Sequence, residues 1–449
     1  MLDVLEKEID KSNADFIELR LVSTQSTQVN IRNKEVETAN SGFVNVFGVR
    51  AMVNGSWGFA SANELSKLTE CVSNAESLAK AASKKSIGAD LADAPVTVKN
   101  VDFKVTEDPQ DVDLEDKVSR CMDLSKRGLG KSKVVSTDLR YMDSFSNKYY
   151  VNSEGSRISF NPTKTFFAFG VFVKDGKLMS FSDAEGGGHG FELLSGKEKM
   201  VDDVCEDASL LLKSHLAPKG SQTVIVDPKM AGTLAHEAVG HALEADTIIN
   251  NNSVITKINQ LIGSSKVSIS DDPTLFQKFG SYPFDAEGVP GKKTVLLKEG
   301  RVKNFLHSRE TAFKKKHEVT GNARSQGPTE FPIVRMSNTF FEKGDCTMEE
   351  LLEGVNGIYV RGFKGGVVDT DTGFFQFASP HGSLIENGEL TKPLRDITLL
   401  GNIVKTLKHV NSVGKDIRVG FPGMCGKSGQ AVPVSSGGPH LKIDEVLVG

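Results

Sequence analysis

The sequence predicts an α+β fold of two domains, each an antiparallel-rich β-sheet packed with helices. Period-two alternation of apolar and polar residues recurs in both halves of the chain. The helical stripes between these runs do not alternate regularly with strands, as βαβ winding would require. Glycine supplies 43 of 449 residues, which suits a strand-rich chain with many turns and bulges.

The first helix is short, with Leu2, Leu5 and Ile9 on one stripe and Asn13 ending it. Phe16 to Val22, Gln28 to Arg32 and Phe43 to Phe47 alternate between Asn, Ser and Gly turns, as a meander with one wet face does. Ser61 and Glu64 read as a capping box opening a helix striped by Leu65, Leu68, Val72, Ala75, Ala79 and Ala82. A linker near Ala92 to Pro95 precedes a helix from about Val112 to Arg127, stopped by Gly128. Strands resume from Val134 to about Phe181, and a further helix carries Met200, Val204, Ala208, Leu211 and Leu212. Pro218 to Gly220 ends it, and the domain boundary is placed there, giving 1–218 and 219–449. The second half opens with the strand Thr223 to Val226, then Asp227 as N-cap and Pro228 at the first helical position. Glu299-Gly300 and Asn387-Gly388 mark two hairpins, the latter a type I′ signal.

Composition narrows the function. Hydrophobic residues at 38% and charged residues at 25% suit a soluble globular chain, and no apolar run approaches the roughly 18 residues of a membrane span. A net charge of −4 argues against a broad nucleic-acid surface. The cysteines (Cys71, Cys121, Cys205, Cys346, Cys425) are odd in number and form no CxxC, and the N-terminus is acidic and amphipathic, unlike a signal peptide. A reducing, cytoplasmic setting is expected.

The helix after Pro228 holds the most informative residues: His236, Glu237, His241, Glu244 and Asp246 on an otherwise Ala-rich background. His236 and His241 are five apart. In an undistorted α-helix, four residues separate side chains by about 40° but five by about 140°. Convergence on one metal therefore needs a local widening such as a π-bulge, which Gly240 would make cheaper. A plain buried helix with hydrogen-bonded histidines is the bland alternative, but Glu237 beside His236 needs a reason, because unpaired buried charge is costly. A catalytic zinc needs a third protein ligand and one open position. Glu244 and Asp246 are near in sequence, but Cys425 is the better candidate. It sits in a segment with glycines at 420, 423, 426 and 429 and a proline at 422, which reads as a constrained loop in which Lys427 could hold a thiolate. Gly426-Lys427-Ser428 is not a P-loop, since Phe421 stands where a glycine is required. Gly186 to Gly190 reads as a flexible turn, and His215, His307 and His409 as surface or packing residues.

With His236 to Asp246 and Gly423 to Gln430 together, the sequence resembles the TldD/PmbA family of metalloproteases, nearly end to end. Phe47 to Ser61, Pro332 to Asn338, Leu384 to Leu390 and the terminal Leu441 to Asp444 are also similar to family segments. The companion PmbA (TldE) branch lacks the zinc motif, so the chain resembles the catalytic TldD branch. The resemblance implies one zinc per chain held by His236, His241 and Cys425, with Glu237 as general base. It also implies a homodimer or a heterodimer with a PmbA/TldE-type paralogue, an active site facing an internal cavity, and unfolded peptide substrates. His440 departs from the small polar residue expected there. Two rivals accompany this reading: a zinc amidohydrolase acting on small molecules, and a non-catalytic partner or DNA-gyrase modulator. The intact Glu237 argues against the second, and no direct nucleic-acid or membrane contact is expected.

Overall fold

A computed structural model describes residues 1–83 and 89–449. The N-terminal half is built on an eight-stranded sheet. Its path runs Ser56–Ala62, Glu35–Val53, Phe16–Arg32, Val134–Asn152, Arg157–Phe160 and Val98–Val101, and Thr163–Asp175 and Lys177–Gly187 extend it from Val134–Asn152. One face takes the helices. Leu5, Ile9, Leu68, Val72 and Ala75 pack on Leu19, Leu21, Phe47 and Val49. Farther along, Cys121, Leu124, Val201, Val204 and Ala208 pack on Tyr141, Phe167 and Phe169. The opposite face carries Glu18, Arg20 and Tyr150, and it meets the C-terminal half. Arg50 pairs with Glu18 and Glu287 at 2.9 Å each, and Arg20 donates to Ser325 Oγ at 2.8 Å.

Two expectations fail here. The separate strands expected between 16 and 47 are one hairpin of two long strands, turning at Asn33 (φ 58°). Phe16–Arg32 is paired on both sides, and hydroxyl pairs such as Thr24 with Ser146 (2.9 Å) and Thr27 with Ser41 (3.0 Å) carry the ladder through the polar stretch. The Ser61 capping box does not form, because Ser61 stays in a strand opposite Gly48. The helix proper is Leu68–Ser83, after a 3₁₀ turn at Leu65–Lys67, so Leu65 and Ala82 are exposed. Among the described residues, no helix is long and apolar enough to cross a membrane.

The C-terminal half holds an eight-stranded and a six-stranded sheet, both mixed. In the first, Gly220–Val226 lies parallel to Gly357–Arg361 and antiparallel to Leu441–Val448. In the second, Asn338–Phe341 lies parallel to Gln430–Gly438, and Arg418–Lys427 is the outer strand. The helical stretch from Pro228 to Leu243 shares one core with both sheets. Met230, Leu234, Ala238 and Val239 lie with Val224 and Val360 of the first and with Ile269, Phe341 and Val434 of the second. Small residues permit this fit, since a Cβ on Gly232 would come within 2.3 Å of the Gly437 nitrogen. Both expected hairpins form, and Asn387 (φ 52°) and Gly388 (φ 84°) have the positive φ pair of a type I′ turn.

Candidate metal centre

Asp227 starts the site helix as the sequence predicts. Its carboxylate accepts the Met230 N–H at 2.8 Å and the Gly362 N–H at 3.0 Å, and Pro228 follows at the first helical position. The α-helical turn Pro228–Thr233 gives way to a π-helical segment, Leu234–Gly240, then to a 3₁₀ turn, His241–Leu243. The widened turn brings residues five apart onto one side. The His236 and His241 rings accordingly lie 5.2 Å apart, nearly perpendicular at 82°. Gly240 keeps ordinary helical dihedrals (φ −56°, ψ −55°), so backbone freedom is not its role. It is needed for packing: a Cβ there would fall 1.8 Å from the Met336 sulphur.

The Cys425 segment is not a loop but the strand Arg418–Lys427, hairpin-paired with Gln430–Gly438 through Ser428 and Gly429 (φ 52° and 77°). Cys425 stands opposite Val432, and its Sγ lies 3.2 Å from His241 Nε2. The ligand atoms of His236, His241 and Cys425 all fall within 4.8 Å of one another. A zinc ion at about 2.0–2.3 Å from each donor needs those donors roughly 3.5 Å apart, so small side-chain adjustments suffice. Two imidazoles and a thiolate also match the donor preference of zinc. His236 Nδ1 is buried and has no hydrogen-bond partner among the described residues, which leaves the ring a donor atom to spare.

Electrostatics set this cysteine apart. Burial pushes the Cys425 thiol up, but the neighbouring His236 and His241 outweigh it and bring it down to about 4. Burial is the main cause that raises Cys121 to about 12 and Cys205 to about 11. The Glu237 side chain is 34% exposed and its Oε2 lies 3.9 Å from His241 Nε2.

Glu244 and Asp246 lie outside the cluster of three converging donors. Glu244, only 1% exposed, accepts from His241 Nδ1 at 3.1 Å and from Lys427 Nζ at 2.9 Å. Lys427 Nζ also binds Asp246 (2.7 Å) and the Val334 carbonyl (3.1 Å), so it does not hold the thiolate as expected. This carboxylate fixes the His241 tautomer with Nε2 toward the cluster. Fully buried Arg335 donates to the carbonyls of Cys425 and Gln430 and so clamps the hairpin. Neither role was legible in sequence, although Arg335 falls in a segment singled out by resemblance. Glu244→Gln should weaken metal binding by roughly 10–100-fold without removing a ligand, checked by competition with a chromogenic chelator. Unchanged affinity would deny Glu244 its positioning role.

The other singled-out residues lie elsewhere. Cys71, Cys121 and Cys205 are buried on helices, and His307 stacks on His317 at 5.3 Å. His440 binds Asp416 (2.5 Å) and Tyr359 (3.1 Å). Gly187, expected in a flexible turn, ends a strand and bridges to Lys278.

Comparison with known proteins agrees with this architecture. Residues 219–449 match the PmbA/TldA metallopeptidase C-terminal domain, residues 17–82 match domain 1 and residues 107–212 match the central domain. A metalloprotease of Methanothermobacter thermautotrophicus is 38% identical over 98% of this chain and 96% of its own length. A zinc metalloprotease TldD homolog of Saccharolobus solfataricus is 32% identical over 70% of this chain and 72% of its own. Among solved structures, a Thermotoga maritima protein described as a candidate modulator of DNA gyrase superposes with a TM-score of 0.82 at 22% identity, covering 100% of this chain and 99% of that one. TldE from Thermococcus kodakarensis gives 0.79 at 16%, covering 100% and 98%. With all three domain models matched in order along one chain and close relatives aligned nearly end to end, this protein belongs to the PmbA/TldD family of metallopeptidases.

Proposed function

We propose that this chain is a zinc-dependent peptidase acting on unfolded or extended peptides. One zinc per chain would be held by His236, His241 and Cys425, with Glu237 as general base. The observation that carries the reading is the convergence of those three ligand atoms with the partly exposed Glu237 beside them. A bound zinc supplies Lewis acidity to the scissile carbonyl and to water. Glu237 then takes the proton from the attacking water and passes it to the leaving amine, while Glu244 holds His241 in register. A structural site would have no use for a half-exposed carboxylate in that position.

An extended substrate is supported by the sheet edge. Arg418–Lys427 is the outer strand, Met424 is 61% exposed, and the Cβ position of Gly426 is open. A peptide added there would be read through its main chain, tolerantly of sequence. A folded domain hides those donors and acceptors in its own ladders. The same substrate protein should therefore be cut to short peptides when irreversibly unfolded and survive when native. Equal rates for the two forms, followed by gel and mass spectrometry, would defeat the edge-strand idea. A digest with and without chelator tests the chemistry itself, and cleavage of small amides but not peptides would favour an amidohydrolase. We place the division into two domains at residue 218, and a dimer, with itself or a PmbA/TldE-type paralogue, completes the proposal. TldE among the structural neighbours supports the pairing.

A further inference from the structure

The sheet face of the N-terminal half that meets the C-terminal half carries two lysines that pair with no carboxylate among the described residues. Lys148 stands opposite Val22 and Phe160, and Lys164 opposite Ser144. Strand alternation places both on the face of Arg20 and Tyr150. Arg20 from that face donates to Ser325, the residue after Arg324, so Arg324 belongs to the same interface. Lys164 Nζ is fixed by the carbonyls of Phe279 and Ser281, and Arg324, 8% exposed, by those of Met336 and Pro433. Half-buried Lys148 makes no ion pair or hydrogen bond among the described residues; its ammonium lies 5.8 Å from the Phe160 ring.

These charges bear on one another. Burial first, then the Arg324 charge, pull Lys148 down to about 8. Burial, Arg324 and Lys148 together hold Lys164 well below the usual lysine range. Arg324 lies in the field of the Asp271 carboxylate, but Lys148 and Lys164 have no such partner among the described residues, and an anion arriving beside them relieves the cost of burying their charge. The cluster also adjoins the metal centre. The Pro433 carbonyl that Arg324 holds (2.7 Å) belongs to the residue paired with Met424, next to Cys425.

We infer that Lys148, Lys164 and Arg324 form a carboxylate-accepting subsite beside the metal centre, which holds an acidic group of the bound peptide. Lys148 is the free donor, and Lys164 and Arg324, already anchored by carbonyls, supply fixed positive field. The carboxylate comes either from the peptide C-terminus or from an Asp or Glu side chain. This rests on the peptidase reading for the nature of the ligand, but binding can be measured without turnover.

The test uses the full-length protein and dye-labelled decapeptides, with fluorescence anisotropy as readout. One pair differs only in a free or amidated C-terminus and lacks acidic side chains. The other pair is amidated and differs in one internal Glu or Gln. The carboxylate member of at least one pair should bind about tenfold more tightly, and which pair does so assigns the source. The gap should close in Lys148→Met and persist in Lys148→Arg. Equal affinity within both pairs for the wild-type protein overturns the inference, as does a gap that Lys148→Met leaves intact. Discrimination of both kinds without any chelator-sensitive cleavage would uphold the subsite while refuting the peptidase reading.

Discussion

Glu237→Gln is expected to retain its zinc and lose turnover by roughly 10²–10⁴-fold, the range that a positioned general base contributes. Glutamine keeps the shape of the side chain and removes only the capacity to take a proton. The Glu237 side chain is 34% exposed and its Oε2 lies 3.9 Å from His241 Nε2, so an isosteric change there leaves the buried core in place. It also removes no ligand, because the three converging donors are His236, His241 and Cys425. The measurement pairs elemental analysis of the purified protein with the cleavage rate of an unfolded substrate. A variant that holds zinc and cleaves at the wild-type rate would strip Glu237 of its role.

Cys425→Ala should lose both zinc and activity. The loss in affinity should exceed the roughly 10–100-fold that removal of a supporting partner costs, since a whole ligand disappears. Glu244 and Asp246 cannot readily replace it, because Lys427 engages both and His241 engages Glu244. Cys71→Ala and Cys205→Ala serve as controls. Both thiols are buried and raised by that burial, so neither offers a thiolate, and both variants should keep full zinc occupancy. Full occupancy in Cys425→Ala would move the third ligand to Glu244 or Asp246 and undo the assignment.

The local features of the site were legible in the sequence because they depend on neighbours in the chain. Asp227 followed by Pro228 specifies a helix start through one carboxylate and one missing N–H, and the structure has that start. Asn387-Gly388 specifies a hairpin through two residues tolerant of positive φ. A five-residue histidine spacing cannot face one point in an α-helix, so a widened turn had to be present if the rings converged, and Leu234–Gly240 is that turn. The α+β class followed from periodicity, glycine content and element order, and Cys425 was the better third candidate from its own segment before the family resemblance implied it.

What the tertiary structure alone decided concerns partners far apart in sequence. Nothing near Lys427 says that its ammonium turns away from Cys425 to two carboxylates more than 180 residues earlier. Nothing near Gly240 says that a methionine sulphur occupies the space of its missing Cβ. The Ser61 capping box is a sound local signal, yet pairing with the neighbouring strand kept Ser61 extended. Ser and Thr between 23 and 27 read as a turn until two flanking strands supply ladder bonds on both sides. In each case a local preference of about 1 kcal/mol competes with burial and hydrogen bonding summed over many distant contacts. Those contacts exist only once the chain has folded, so the sequence determined which local structures and which chemistry were available, and packing determined which of them meet.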